Sequence, residues 1–145
     1  MTKIHFPNAV QDALEKLRAK GFEAFVVGGS LRDVIRGETP KDWDITTNAI
    51  PEQIQKIFPK SYYANQFGTV TVRTREMEIE MTTYRSEAQY TDKRHPDRVK
   101  FGVSLAEDLA RRDFTINAMA SNGVTLHDPF KGKEDLRQKT IRAVG

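Results

Sequence analysis

The chain contains no cysteine. That excludes a disulfide framework and any thiolate-ligated metal site. Its three histidines, His5, His95 and His127, are scattered, with no spacing that suits zinc. No apolar run approaches the roughly 20 residues of a transmembrane helix, and no signal-peptide apolar core follows Met1-Thr2-Lys3-Ile4-His5. The glycine turn after Val27 lacks the Gly-Lys-Ser/Thr ending of a P-loop, and no Ser-His-Asp pattern occurs. Internal repeats and low-complexity linkers are also missing. These absences predict a cytoplasmic protein that does not span a membrane.

What remains is a chain of 145 residues, 38% hydrophobic and 30% charged, which supplies one core and a charged surface. The net charge of +3 is compatible with a nucleotide or RNA partner without demanding one. Val10, Ala13, Leu14 and Leu17 recur at helical spacing within Pro7 to Lys20, and Gly21 stops that helix. Phe22 to Val27 reads as a buried strand. Ser30 is the expected N-cap of a short helix ending at Gly37. Trp43 to Thr47 reads as a strand, and Pro51 to Phe58 as a helix with proline in its first turn. Thr69 to Arg75 and Met77 to Tyr84 alternate as a half-buried hairpin, with Met77, Ile79 and Met81 on one face and Glu78, Glu80 and Thr82 on the other.

Arg85 to Lys100 has no apolar periodicity and carries five basic against three acidic side chains, so a long mobile loop is expected. Ser104 and Glu107 are spaced as a capping box for a helix to Arg111. Arg112 to Ala120 is expected to continue as a second helical piece. A turn at Asp128-Pro129, a helical turn near Glu134 and a last strand from Thr140 to Val144 complete the reading.

Four clusters carry candidate chemistry. Gly28-Gly29-Ser30 joins a strand to a helix, where backbone N–H groups can meet phosphate oxygens. Arg32 on the first turn adds a guanidinium fork, and Asp33 follows it. The glycines alone are equally the mark of a tight turn. Asp42-Trp43-Asp44 puts two carboxylates on one face of a strand, where they repel unless a cation joins them. Oxygen ligands of this kind suit magnesium. A solvated acidic pair at a sheet edge is the alternative. Glu80 either completes such a site or acts as the base on an attacking hydroxyl, whereas Glu78 reads as a solvent-facing acid. Arg111-Arg112-Asp113-Phe114-Thr115-Ile116-Asn117 brings Asp113 and Asn117 to one face of a helix, suited to phosphate and sugar hydroxyls or to a surface ion pair.

In order and spacing, these phrases resemble the catalytic head of the class II tRNA nucleotidyltransferases (CCA-adding enzymes) and bacterial poly(A) polymerases. The Gly-Gly-x-x-Arg-Asp phrase leading to Asp-x-Asp is complete from Gly28 through Gly37 to Asp44, and Arg-Arg-Asp-Phe-Thr-x-Asn-Ala from Arg111 to Ala118. Ile79 to Arg85 and Asp128-Pro129-Phe130 match as well, so the resemblance runs from about Ala9 to Val144. It implies an α/β head of the polymerase beta type, with a mixed, largely antiparallel sheet flanked by helices. Asp42 and Asp44 would hold Mg2+. Gly28, Gly29, Ser30, Arg32 and Asp33 would cradle the triphosphate, and Arg112, Asp113 and Asn117 would meet phosphate or ribose. The reaction would add CMP and AMP from CTP and ATP to the tRNA 3′ end by two-metal phosphoryl transfer. Poly(A) polymerase, a CC-adding or A-adding enzyme, or a nucleotide-binding fragment without useful turnover are the alternatives. In the family a Glu-Asp-x-x-Arg template in a neck domain selects the base. Glu107-Asp108-Leu109-Ala110-Arg111 spells that pattern but precedes the Arg-Arg-Asp phrase. The template is therefore expected beyond Gly145, with residues 1–145 forming the head, the start of the neck at most at its end, and the neck, body and tail absent.

Overall fold

The computed structural model describes residues 4–64, 68–90 and 96–145, and for 86–90 and 96–101 the backbone alone. The first helix, α1 (Asn8–Ala19), buries Ala9, Val10, Ala13, Leu14 and Leu17 along one stripe. It ends where Lys20 and Phe22 both donate to the Leu17 carbonyl and Gly21 turns left-handed. β1 (Ala24–Val27) runs directly into α2 (Gly28–Ile35), and β2 (Trp43–Thr47) follows. Next come α3 (Pro51–Ile57), β3 (Ser61–Tyr63), β4 (Thr69–Arg73) and β5 (Glu78–Thr83). β6 (Arg85–Tyr90) and β7 (Pro96–Phe101) pair only with each other. α4 (Leu105–Ala110), a 3₁₀ turn (Thr115–Asn117), β8 (Ala120–Ser121), β9 (Leu126–His127) and α5 (Gly132–Arg137) close the chain.

Seven strands form one sheet in the order β3-β4-β5-β2-β1-β8-β9. Every neighbouring pair is antiparallel except β2 with β5. That parallel pair requires a crossover, which α3, β3 and β4 provide. One face of the sheet carries Trp43, Ile45, Val70, Val72, Ile79 and Met81 against Leu14, Leu17, Ile54 and Phe58. Phe6 meets Trp43 edge-on, ring centroids 6.0 Å apart. Phe25 and Val27 face the other way, into a smaller cluster with Leu105, Leu109 and Phe130. β1 is thus buried on both faces, which explains its continuous apolar run. With Trp43 and Ile45 committed to the core, Asp44 is forced onto the opposite face by strand alternation.

Four local expectations are corrected. Arg85 to Lys100 contains the β6–β7 hairpin, with a bulge between Glu87 and Gln89. A ribbon that pairs only with itself needs no apolar stripe toward the main core, so periodicity did not reveal it. The expected mobility of residues 91–95 lies outside the described residues. Arg112 to Ala120 forms the 3₁₀ turn and enters β8 rather than a helix, because Ala120 is needed opposite Val27 in the sheet. Ser30 is not the N-cap: α2 already begins at Gly28, after Val27. Thr140 to Val144 makes one bridge, Ala143 to Phe114, rather than a strand.

The last residues nevertheless brace the 3₁₀ turn. Thr115 donates its Oγ1–H to Asp135 Oδ2 at 2.6 Å, and Arg142 pairs with the same carboxylate. These two partners hold the Asp135 carboxyl below the ordinary carboxylate range. Asp128 accepts from the Gly132 and Lys133 N–H groups at 2.6 and 3.0 Å, which caps α5 and gives the Asp128-Pro129-Phe130 phrase a structural role. Gly132 lies so close to the Thr115 carbonyl that any Cβ would overlap it. Gly132→Ala should therefore lower stability in urea unfolding by roughly 1–3 kcal/mol, with the 3₁₀ turn displaced in amide spectra.

Candidate functional site

The site grows from the junction of β1 and α2. Gly28 has φ +73, a conformation that only glycine adopts without strain. A Cβ there would lie 3.5 Å from Arg112 Nη1 and 4.0 Å from Asp44 Oδ2, so three sequence-distant candidates meet at one glycine. No side chain caps the start of α2. Its first N–H groups and dipole remain available to an anion. Ser30 is buried inside the helix, donating to the Val27 carbonyl at 3.0 Å and accepting from the Asp44 N–H at 3.3 Å. It ties helix to strand and sets the position of Asp44.

Arg32 is held from two sides. Its Nε donates to Asp33 Oδ1 at 3.1 Å and its Nη1 to Asn117 Oδ1 at 3.0 Å. The guanidinium also lies over Gly29, where a Cβ would fall 3.3 Å from Nη2. Asp33 is therefore a partner of Arg32. Asn117 links Arg32 toward Asp113, to which its Nδ2 is 3.5 Å distant, while Asp113 accepts from the Phe114 N–H at 2.7 Å.

Asp42 lies just before β2 and Asp44 within it, yet both line the same two clefts. Parallel pairing sets Asp44 directly beside Glu80 on β5. Burial, followed by the Glu80 charge, raises the Asp44 carboxyl to about 6. Arg112 only partly offsets the repulsion between the two carboxyls. Glu78 is taken up by Arg73 at 2.9 Å. Among the described residues no three acidic or histidine side chains form a ready-made metal cage. Magnesium commonly binds one or two carboxylates and completes its shell with water and phosphate oxygens. Asp42 and Asp44 are a donor set of that kind, and the raised Asp44 marks where a cation would relieve repulsion.

Sequence reasoning missed Asp108. This carboxylate is fully buried and receives four donors: Thr46 Oγ1 at 3.1 Å, the Arg85 N–H at 3.0 Å, Arg111 Nε at 3.3 Å and Arg112 Nη2 at 3.1 Å. Burial lowers the Arg112 pKa and Asp108 counters that effect. The available signal was the i,i+4 spacing of Asp108 and Arg112 beside an apolar helix face. Lys41, which lines the cleft with Gly29 and Arg32, was also missed.

An α/β fold in which an uncapped helix start and two arginines stand beside the Asp42 and Asp44 carboxylates has the groups needed to hold a phosphate beside a cation. The chain belongs to the poly A polymerase head domain family, whose model matches residues 24–142. It is 50% identical over 134 residues to the CCA-adding enzyme of Listeria monocytogenes, covering 91% of this chain and 34% of that protein. It is 47% identical over 146 residues to the CCA-adding enzyme of Streptococcus mutans, covering 97% and 36%. The crystal structure of the Bacillus stearothermophilus CCA-adding enzyme in complex with CTP superposes with a TM-score of 0.83 at 38% identity, over 94% of this chain and 33% of that one. The chain spans about a third of the length of the curated relatives it matches.

The geometry separates structural from functional charge. Asp108→Ala leaves two largely covered arginines without their anion and should cost about 3–5 kcal/mol in chemical unfolding. Asp44→Asn should act oppositely. An Asp raised to about 6 is ionised at pH 8 at a cost to the fold that declines as pH falls through about 6 and is gone only below the ordinary Asp value of 3.8. With divalent metal chelated at pH 8, Asp44→Asn should melt no lower than the parent, and a clearly lower melting temperature would contradict the repulsion described.

Proposed function

We propose that this chain is the catalytic head of an RNA nucleotidyltransferase that adds CMP and AMP to the tRNA 3′ end, using CTP, ATP and Mg2+. The observation that carries the reading is the meeting of Asp44, Arg112 and the α2 start at Gly28, because a metal-bound triphosphate needs carboxylates and phosphate donors within one reach. The CCA-adding names of the relatives favour this reading over poly(A) synthesis. Residues 1–145 form the head in this reading, and base selection belongs to residues that follow. A cytoplasmic location agrees with that work.

Each residue has a task in the reaction. The α2 N–H groups, Arg32 and Lys41 bind the triphosphate. Asn117 and Asp33 keep the Arg32 fork in place, and Asp108 does the same for Arg112. Asp42 and Asp44 would hold the metal, which would supply neutralisation of the charge that develops in the reaction. Glu80, beside Asp44, accepts the proton of the RNA 3′-hydroxyl or shares in metal binding. The hydroxyl oxygen attacks the α-phosphorus and pyrophosphate leaves. Positioning and charge stabilisation supply the acceleration.

In the full-length protein containing this chain, Asp42→Ala and Asp44→Ala should each reduce labelled CTP incorporation into tRNA lacking CCA by roughly 10²–10³-fold or more, with melting temperatures near the parent's. Near-normal incorporation by either variant would overturn the assignment.

A further inference from the structure

Asp42 and Asp44 sit on the divide between two clefts, one lined by cations as well as acids and the other by acids without cations. The first, about 490 Å³, is lined by Gly29, Arg32 and Lys41, by Asp33 and Glu38, which pair with Arg32 and Arg36, and by the two aspartates. The second, about 300 Å³, is lined by Glu78, Glu80, Thr71 and Tyr62. No lysine or arginine lines the second cleft among the described residues. A triphosphate finds cationic donors in the first, at Arg32 and Lys41, and only carboxylates and neutral groups in the second. The second therefore suits the partner that brings no phosphate to the reacting end: a terminal ribose with free hydroxyls, and its base.

Register makes the second cleft a continuous track. Asp44 pairs with Glu80, Glu80 with Thr71, and Thr71 with Tyr62, across β2, β5, β4 and β3. Directly opposed residues project to the same face. The four side chains thus form one row from the carboxylates to the sheet edge, over about 14 Å at three strand spacings of roughly 4.8 Å. Tyr62 ends the row 48% exposed. The ring is half exposed on an edge strand and lines the carboxylate cleft, and such rings are the common platform for unpaired bases.

We propose that Tyr62 stacks on the 3′-terminal base of the RNA acceptor and thereby sets that nucleotide's 3′-hydroxyl over Asp44 and Glu80. This rests on the nucleotidyltransferase reading above and adds a binding residue for the acceptor strand. Tyr63 provides an internal control. It is similarly exposed, at 45%, but pairs with the buried Val70 and so belongs to the opposite face.

The test uses the full-length protein and a fluorescent tRNA acceptor minihelix ending in CC, titrated by anisotropy with Mg2+ and no nucleotide, beside steady-state KM values for RNA and CTP. Tyr62→Ala should weaken RNA binding and raise the RNA KM by roughly 5- to 100-fold, the range of one base–aromatic stack, with the CTP KM within about twofold. Tyr62→Phe and Tyr63→Ala should stay within about twofold of the parent. A minihelix whose 3′-terminal ribose lacks its base should bind the parent as weakly as Tyr62→Ala binds the intact RNA, and Tyr62→Ala should lose nothing further on it. A raised CTP KM with unchanged RNA affinity would assign the ring to the incoming nucleotide and overturn the proposal. Unchanged RNA affinity and KM would overturn it as well. Equal losses in Tyr62→Phe and Tyr62→Ala would overturn stacking in favour of the hydroxyl. Full RNA effects in a parent protein that incorporates no nucleotide would instead overturn the proposed reaction while leaving an RNA site at Tyr62.

Discussion

One buried carboxylate organises this head. Asp108 on α4 is wholly removed from water, a position an ionised group holds only with partners on several sides. Its partners come from separate parts of the fold: Thr46 from β2, the Arg85 N–H at the base of β6, and Arg111 and Arg112 just past its own helix. Through Thr46 it ties α4 to the strand that carries Asp44. Through Arg112 it directs a guanidinium toward Gly28. The base of the hairpin, the arginine over Gly28 and the carboxylate strand therefore share a single anchor. Such a network rigidifies when every donor is satisfied and is costly when one is not.

The single parallel pair in the sheet is the second constraint. An antiparallel hairpin would have joined β2 to its immediate successor in sequence. The crossover instead inserts β5 beside β2 and sets Glu80 next to Asp44. That placement creates the repulsion which helps raise Asp44. It also carries the row on through Thr71 to Tyr62. The same register that builds an apolar face from Ile45, Met81 and Val70 builds the acidic track on the other side. Core and site are two faces of one pairing.

Elements with a strong local period were legible in the amino-acid order. α1, β2, α3 and the β4–β5 hairpin follow the apolar spacing closely, because each must bury one stripe or one face. Strand alternation through Asp42-Trp43-Asp44 put both carboxylates on one face. Segments whose form depends on distant partners were not legible. The residues after Arg112 look helical in isolation, but Ala120 is claimed by Val27 in the sheet. Arg85 to Lys100 offers no apolar stripe, and its pairing is with itself. Ser30 resembles a cap, yet its hydroxyl links the Val27 carbonyl to the Asp44 N–H.

By itself the sequence determined the inventory of chemistry: a glycine turn with Arg32, a carboxylate pair, and an arginine-acid-amide phrase. Spacing along the chain carries that information because turns, caps and strand alternation act over a few residues. Tertiary structure alone decided which of these groups meet. Arg32 reaches Asn117 across 85 positions of sequence, and Arg112 approaches Asp44 over Gly28. It also decided that Asp108 is an anchor rather than a surface acid, and that Tyr62 faces the carboxylate cleft while Tyr63 does not. Burial, register and charge neighbourhood are properties of the packed sheet, and no local pattern encodes them until the strands have found their partners.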